Sequence, residues 1–88
     1  MDIDWIVWDW EDDPEGNVQH IDEHGLTMEE VEEILYAAGH GDLLVSRTSG
    51  RPIAFGWTST GKYIAVVFEI VDENPLTVRP VTAYETEE

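Results

Sequence analysis

Close to Gly41 the hydrophobic period of this chain changes from helical to alternating, and that change limits what the chain can fold into. Before it, Met28, Val31, Ile34, Leu35 and Ala38 recur at helical spacing. After it, Ile64, Val66, Phe68 and Ile70 alternate with their neighbours, as a half-buried strand does. Both helices therefore precede a run of consecutive strands, which argues an α+β fold. With 88 residues the chain forms one domain, spanning 1–88, and a chain of this size buries only about 60% of its unfolded surface.

Local signals divide the chain further. Asp4–Trp10 reads as a first strand, with Ile6, Trp8 and Trp10 on its apolar side. Asp12-Asp13-Pro14 reads as a helix start, Asp13 capping and Pro14 in the first turn, where no backbone N–H is needed. Gly25 ends that helix as a left-handed residue. Thr27-Met28-Glu29-Glu30 is a capping box opening the second helix, and Gly39 and Gly41 stop it. Strands follow at Asp42–Arg47, Pro52–Thr58, Lys62–Val71 and Leu76–Tyr84, with turns at Thr48–Arg51, Ser59–Gly61 and Asp72–Pro75. Pro80 removes a ladder donor, which puts the last strand at an edge or at a bulge. The order is β-α-α-β-β-β-β: a small antiparallel sheet with two N-terminal helices packed on one face.

Charge is as unevenly distributed as hydropathy. Twenty Asp and Glu oppose four Lys and Arg, for a net charge of −16, and no Lys or Arg occurs before Arg47. Such a chain is repelled by phosphate backbones and anionic membranes unless its cations gather. The acidity reads as a solubility or salt adaptation, or as a surface for a basic partner. Glu29, Glu30, Glu32 and Glu33 read first as a solvated helix face and second as an acidic docking face. Four Trp, three Tyr and two Phe argue against disorder. The absence of cysteine excludes disulfides, thiolate metal sites and a cysteine nucleophile. No apolar run approaches the ~20 residues that span a bilayer, and the acidic N-terminus does not resemble a secretory signal. These features predict a soluble, cytoplasmic protein.

Few residues suggest chemistry by themselves. His20 and His24 stand four apart, a spacing that suits a divalent metal, but residue 21 is Ile, so the general-base Glu of an HExxH motif is missing. Neither a metal nor a cofactor is expected. His40, between two glycines, reads as a loop residue. Trp5, Trp8, Trp10, Tyr36, Phe55 and Trp57 read as core rather than as a base-stacking platform, since stacking platforms accompany cationic grooves. Within the Trp-rich first strand, at least one Trp is expected to stay partly exposed and to suit a protein interface.

Several stretches together resemble the BrnT family, the toxin half of bacterial toxin–antitoxin modules. They are Trp10-Glu11 before a short helix, Asn17 followed by His24-Gly25, and the acid-rich helix after Gly25-Leu26-Thr27. The most extensive is Arg51-Pro52-Ile53-Ala54-Phe55-Gly56-Trp57-Thr58 continuing through Gly61–Phe68, followed by Leu76–Ala83. The resemblance covers about residues 8–84 and rests on the order and spacing of these stretches. It implies a RelE-like fold, metal-independent RNA cleavage and a small DNA-binding antitoxin partner. By position it implies a site of His24, Arg51 and Arg79, with Lys62 at the hairpin. Such a site needs a base for the 2′-OH, an acid for the leaving oxygen and cations for the phosphorane, so His24 would be the base and the three cations the clamp.

The sequence departs from that family where its members are basic. Asp12, Asp13, Glu15, Asp22 and Glu23 stand in those stretches, and the chain ends Glu85-Thr86-Glu87-Glu88. The cationic site is weakened, and RNA is disfavoured by the net charge. The alternative is a non-catalytic acidic module on the same fold, binding a basic partner. An exposed edge strand would also permit homodimerisation by strand pairing.

Overall fold

The computed structural model describes residues 3–37, 43–45 and 50–87. In chain order the elements are β1 (Trp5–Ile6), α1 (Asn17–Glu23), α2 (Met28–Ala37), β2 (Leu43–Val45), β3 (Pro52–Trp57), β4 (Tyr63–Glu73) and β5 (Leu76–Glu85). Ala38, His40 and Arg47, together with the outer parts of the expected Asp42–Arg47 strand and Thr48–Arg51 turn, lie outside the described residues.

The fold is α+β, but the expectation of a purely antiparallel sheet fails at the first strand. The sheet is mixed, in the order β1-β5-β4-β3-β2. β2 to β5 form an antiparallel meander, whereas β1 runs parallel to β5, with Trp5 beside Thr77 and Ile6 beside Val78. A parallel neighbour needs a long crossover. Here α1 and α2 carry the chain across one face to the far edge, and the meander returns it to β1. The junction is held by Asp4 N–H to the Leu76 carbonyl and Val7 N–H to the Val78 carbonyl, both 2.8 Å. The Asp4 carboxylate accepts from Leu76 N–H at 2.8 Å.

This placement decides the fate of Pro80. It lies in an internal strand, which corrects the edge alternative. The missing N–H is accommodated by a bulge: Val67 faces Thr82 and Phe68 faces Pro80, leaving Val81 without a partner. The inward set of β5 therefore shifts phase, from Val78 and Pro80 to Ala83. A second irregularity, at Val71, follows Ile70; Ile70 itself keeps the register of Phe68, opposite Val78, yet is 44% exposed.

The helices meet the sheet on one face. Ile21 from α1 and Val31, Ile34 and Leu35 from α2 form one core with Ala54, Ile64, Val66, Phe68, Val78 and Ala83. Truncating a large member of such a cluster to Ala costs about 2–5 kcal/mol. The capping box forms as read: Thr27 Oγ1 accepts from Glu30 N–H at 3.2 Å and Glu30 Oε1 from Thr27 N–H at 3.0 Å. Gly25, at φ +76°, closes α1, with Leu26 N–H on the Ile21 carbonyl and Gly25 N–H on the Asp22 carbonyl.

The start of α1 is corrected. Asp13 and Pro14 belong to the preceding turn, where Asp13 Oδ1 accepts from Glu15 N–H, and the helix begins at Asn17 with Gly16 as N-cap. Its first N–H is capped from a distance, by the Asp9 carboxylate at 2.9 Å.

Candidate functional site

The four residues singled out by sequence fall at two ends of the sheet. Arg79 lies on β5 directly opposite Glu69 on β4, and Arg51 just precedes β3. Glu69 takes both: Arg51 Nε is 3.9 Å and Arg79 Nη1 3.7 Å from its two carboxylate oxygens. Arg79 Nη2 also donates to Asp9 Oδ2. The result is a row of alternating charge, Arg51–Glu69–Arg79–Asp9, on the face away from the helices, with two guanidiniums against two carboxylates.

Asp9 is fixed by more than its arginine. Asn17, 2% exposed, donates its backbone N–H to Asp9 Oδ2 and accepts Asp9 N–H on Oδ1 at 2.8 Å. Its amide nitrogen donates to the carbonyls of Val7 at 3.2 Å and Pro80 at 3.0 Å. The Asn17 backbone N–H is the largest influence holding the Asp9 carboxyl below its ordinary range; burial opposes it and Arg79 reinforces it. Asn17 thus ties the chain after β1, the start of α1 and the bulge of β5 into one knot. No local pattern announces it, because its partners are distant in sequence.

Lys62 and His24 are brought near one another elsewhere. Lys62 Nζ donates to the Gly25 carbonyl at 2.9 Å and lies 3.2 Å from Glu30 Oε2. His24 caps the C-terminus of α1 beside that glycine, exposed, its ring 6.0 Å from that of His20. Lys62 precedes Glu69 by seven residues along β4, about 23 Å at ~3.3 Å per residue. A base and the cations that clamp one phosphate must meet within hydrogen-bond reach of the reacting atoms. The arginine pair and the His24–Lys62 pair are not brought together in that way. Among the described residues no group of three or more His, Asp or Glu side chains could hold a metal ion.

The glutamates of α2 do not form a uniform solvated face. Glu30, 5% exposed, accepts from both the N–H and the hydroxyl of Thr27, from the Thr60 hydroxyl and from Lys62. The Thr60 hydroxyl is the largest influence depressing its carboxyl; burial works against it, and Thr27 N–H and Lys62 add to the depression. Glu33 accepts from Ser59 N–H at 2.7 Å and Glu32 from the Trp8 indole N–H at 3.1 Å. Three of the four acids therefore fasten α2 to the β3–β4 hairpin and to the chain after β1.

The acids outside these bonds flank a groove. Two adjoining hollows, each about 580 Å³, run along the helices and share Glu11 and Met28 in their walls. Asp12, Asp22 and Glu29 add charge, and Val18, Leu26 and Trp8 supply an apolar floor. Trp10 borders it at 83% exposure. The expectation that the aromatics are core is corrected here: Trp8 packs on the core, but Trp5 is 63%, Tyr36 51% and Trp57 58% exposed. Alternation along the first strand misled, since β1 is only two residues long and Trp10 lies beyond its pairing.

No protein-family model matches the chain, and no curated protein or solved structure is significantly similar to it.

Proposed function

We propose that this chain is a binding module for a basic protein segment. The observation that carries this reading is the disposition of charge. Arg51, Lys62 and Arg79 each lie against a carboxylate, while the groove between Trp10 and Glu29 is walled by Glu11, Asp12, Asp22 and Glu29 with no cation in its lining. Uncompensated carboxylates around an apolar floor recognise Lys or Arg beside an apolar anchor, the chemistry of the basic arms of DNA-binding proteins. Trp10, with its ring in solvent, supplies an anchor of the kind that dominates interfaces.

The test is fluorescence-anisotropy titration with a basic amphipathic peptide and an acidic peptide of the same length. Only the basic peptide should bind, and affinity should fall at least tenfold between ~0.05 and ~0.5 M salt as the charges are screened. The triple variant Glu11→Gln, Asp22→Asn, Glu29→Gln should abolish binding. Equal binding of both peptides, or full binding by the triple variant, refutes the proposal.

A second reading has one observation in its favour: Arg51 and Arg79 share Glu69 on a single sheet face. It is the BrnT-type toxin of RelE-like fold, a metal-independent endoribonuclease with a weakened cationic site, partnered by a small antitoxin. Cleavage of labelled RNA that is lost in both Arg51→Ala and Arg79→Ala would favour it over the binding module.

A further inference from the structure

The sheet face opposite the helices is covered by no other described element. Pairing aligns Phe55 with Ala65 and Tyr84, Ile53 with Val67, and Trp57 with Tyr63, so six large side chains share this face. Phe55 and Tyr63 stack at 6.3 Å and Trp57 meets Tyr63 at 5.2 Å, yet Trp57 remains 58% and Tyr84 38% exposed. Ala65 lies at 0% exposure between Phe55 and Tyr84. From the Arg79–Glu69 row to the Trp57–Tyr63 row, Glu69 is the one acid among the described strand residues on this face. Arg51 and Arg79 balance it. In a chain of net charge −16, the acids described on this surface, Glu69 and Asp9, are each set against an arginine at one end of it.

We infer that this face binds a second copy of the chain, sheet against sheet, in a dimer that tightens as salt rises. Charge selects the occupant. A basic partner gains nothing on a face without surplus carboxylate, and a nucleic acid gains nothing from arginines already balanced while the whole molecule repels it. A second copy brings the same uncharged aromatic face, and face-to-face contact keeps the remaining acids apart. The area sets the strength. Three strands at ~4.8 Å by six residues at ~3.3 Å give a plan of about 290 Å² per copy, below the ~800 Å² per partner of a standard interface. That fits a weak, reversible dimer. Salt removes the mutual repulsion of two anions without weakening apolar contact, so affinity should rise on the order of 10²-fold between 0.1 and 1 M. Basic-segment binding at the groove has the opposite salt dependence, so the two proposals fail separately.

The experiment is sedimentation velocity of the full chain over a wide concentration range at 0.1, 0.5 and 1 M potassium chloride. A 10.0 kDa monomer should give way to a dimer as concentration and salt increase. Tyr84→Glu and, independently, Trp57→Glu should weaken dimerisation at least tenfold with an unchanged circular dichroism spectrum, while Trp10→Glu, off this face, leaves it intact. A monomer at every concentration and salt overturns the inference. So does a dimer that loosens with salt, or one that both folded face variants leave intact. Tryptophan quenching of a persistent monomer by single-stranded RNA would reassign the face to base stacking.

Discussion

Replacing Glu30 with Gln tests whether the acidic helix is a structural clamp. The carboxylate is 5% exposed and accepts from Thr27 N–H, the Thr27 and Thr60 hydroxyls and Lys62. The amide keeps the shape but has one acceptor oxygen, and its NH2 faces a hydroxyl or an ammonium. Bonds to a charged group contribute about 1.5–3 kcal/mol against about 1 for neutral ones. With two such bonds downgraded and the capping box weakened, Glu30→Gln should cost about 2–3 kcal/mol. In a domain of this size that lowers Tm by about 10–20 °C. Lys62 is a third exposed and its bond to the Gly25 carbonyl is open to solvent, where water can replace the lost donor, so Lys62→Met should cost no more than ~1 kcal/mol. Urea and thermal unfolding followed by tryptophan fluorescence read both. A Gln variant melting within ~2 °C of the parent, or a Lys62→Met cost equal to that of Glu30→Gln, would refute the argument.

The same carboxylates set the acid limit. Glu30 and Asp9 are both depressed on folding, so each contributes stability that is complete above its unfolded value and lost as pH falls through its folded one. Unfolding free energy should therefore drop below about pH 5, with a shallower acid limb in Glu30→Gln; an unchanged slope would exclude Glu30 from the acid transition. Asn17→Ala leaves the Val7 and Pro80 carbonyls without their amide donor and Asp9 N–H without its acceptor, and should cost about 2–4 kcal/mol in urea unfolding. Gly56→Ala places a Cβ 3.0 Å from Ile34 Cδ1, so the tip of that side chain must move; a loss of about 1 kcal/mol is expected, and a loss above ~3 would show that Ile34 cannot yield.

Much of the local architecture was legible because its causes are local. The capping box at Thr27 and Glu30 and the glycine stop at Gly25 are hydrogen-bond patterns closed within six residues. The alternation of Ile64, Val66 and Phe68 directly marks the buried side of β4. Ile70 keeps the register of Phe68, opposite Val78, yet is 44% exposed, because alternation sets the face of a side chain and not whether another element covers it. The helix start was read three residues too early: Asp13-Pro14 looks like a cap, but the helix begins at Asn17, whose N–H is satisfied by Asp9.

The candidate residues show the same division. Sequence placed all the cations in the second half and most of the acids in the first, which already disfavoured a phosphate-binding surface. Which acid meets which cation was decided by the tertiary fold. Arg79 and Asp9 are separated by 70 positions, and Lys62 and Glu30 by 32. They meet because β1 docks parallel to β5 and because the β3–β4 hairpin folds against α2. Composition determined that this protein is strongly anionic, and periodicity determined its helices and most of its strands. Strand pairing and helix docking decided that Glu30, Glu32 and Glu33 of α2 serve as clamps, that Arg51 and Arg79 are neutralised, and that Phe55, Trp57, Tyr63 and Tyr84 lie on an open sheet face. The physical reason is range: a turn, a cap or an alternation is chosen by neighbours along the chain, whereas the partner of a long charged side chain is chosen by whichever distant strand the core brings beside it.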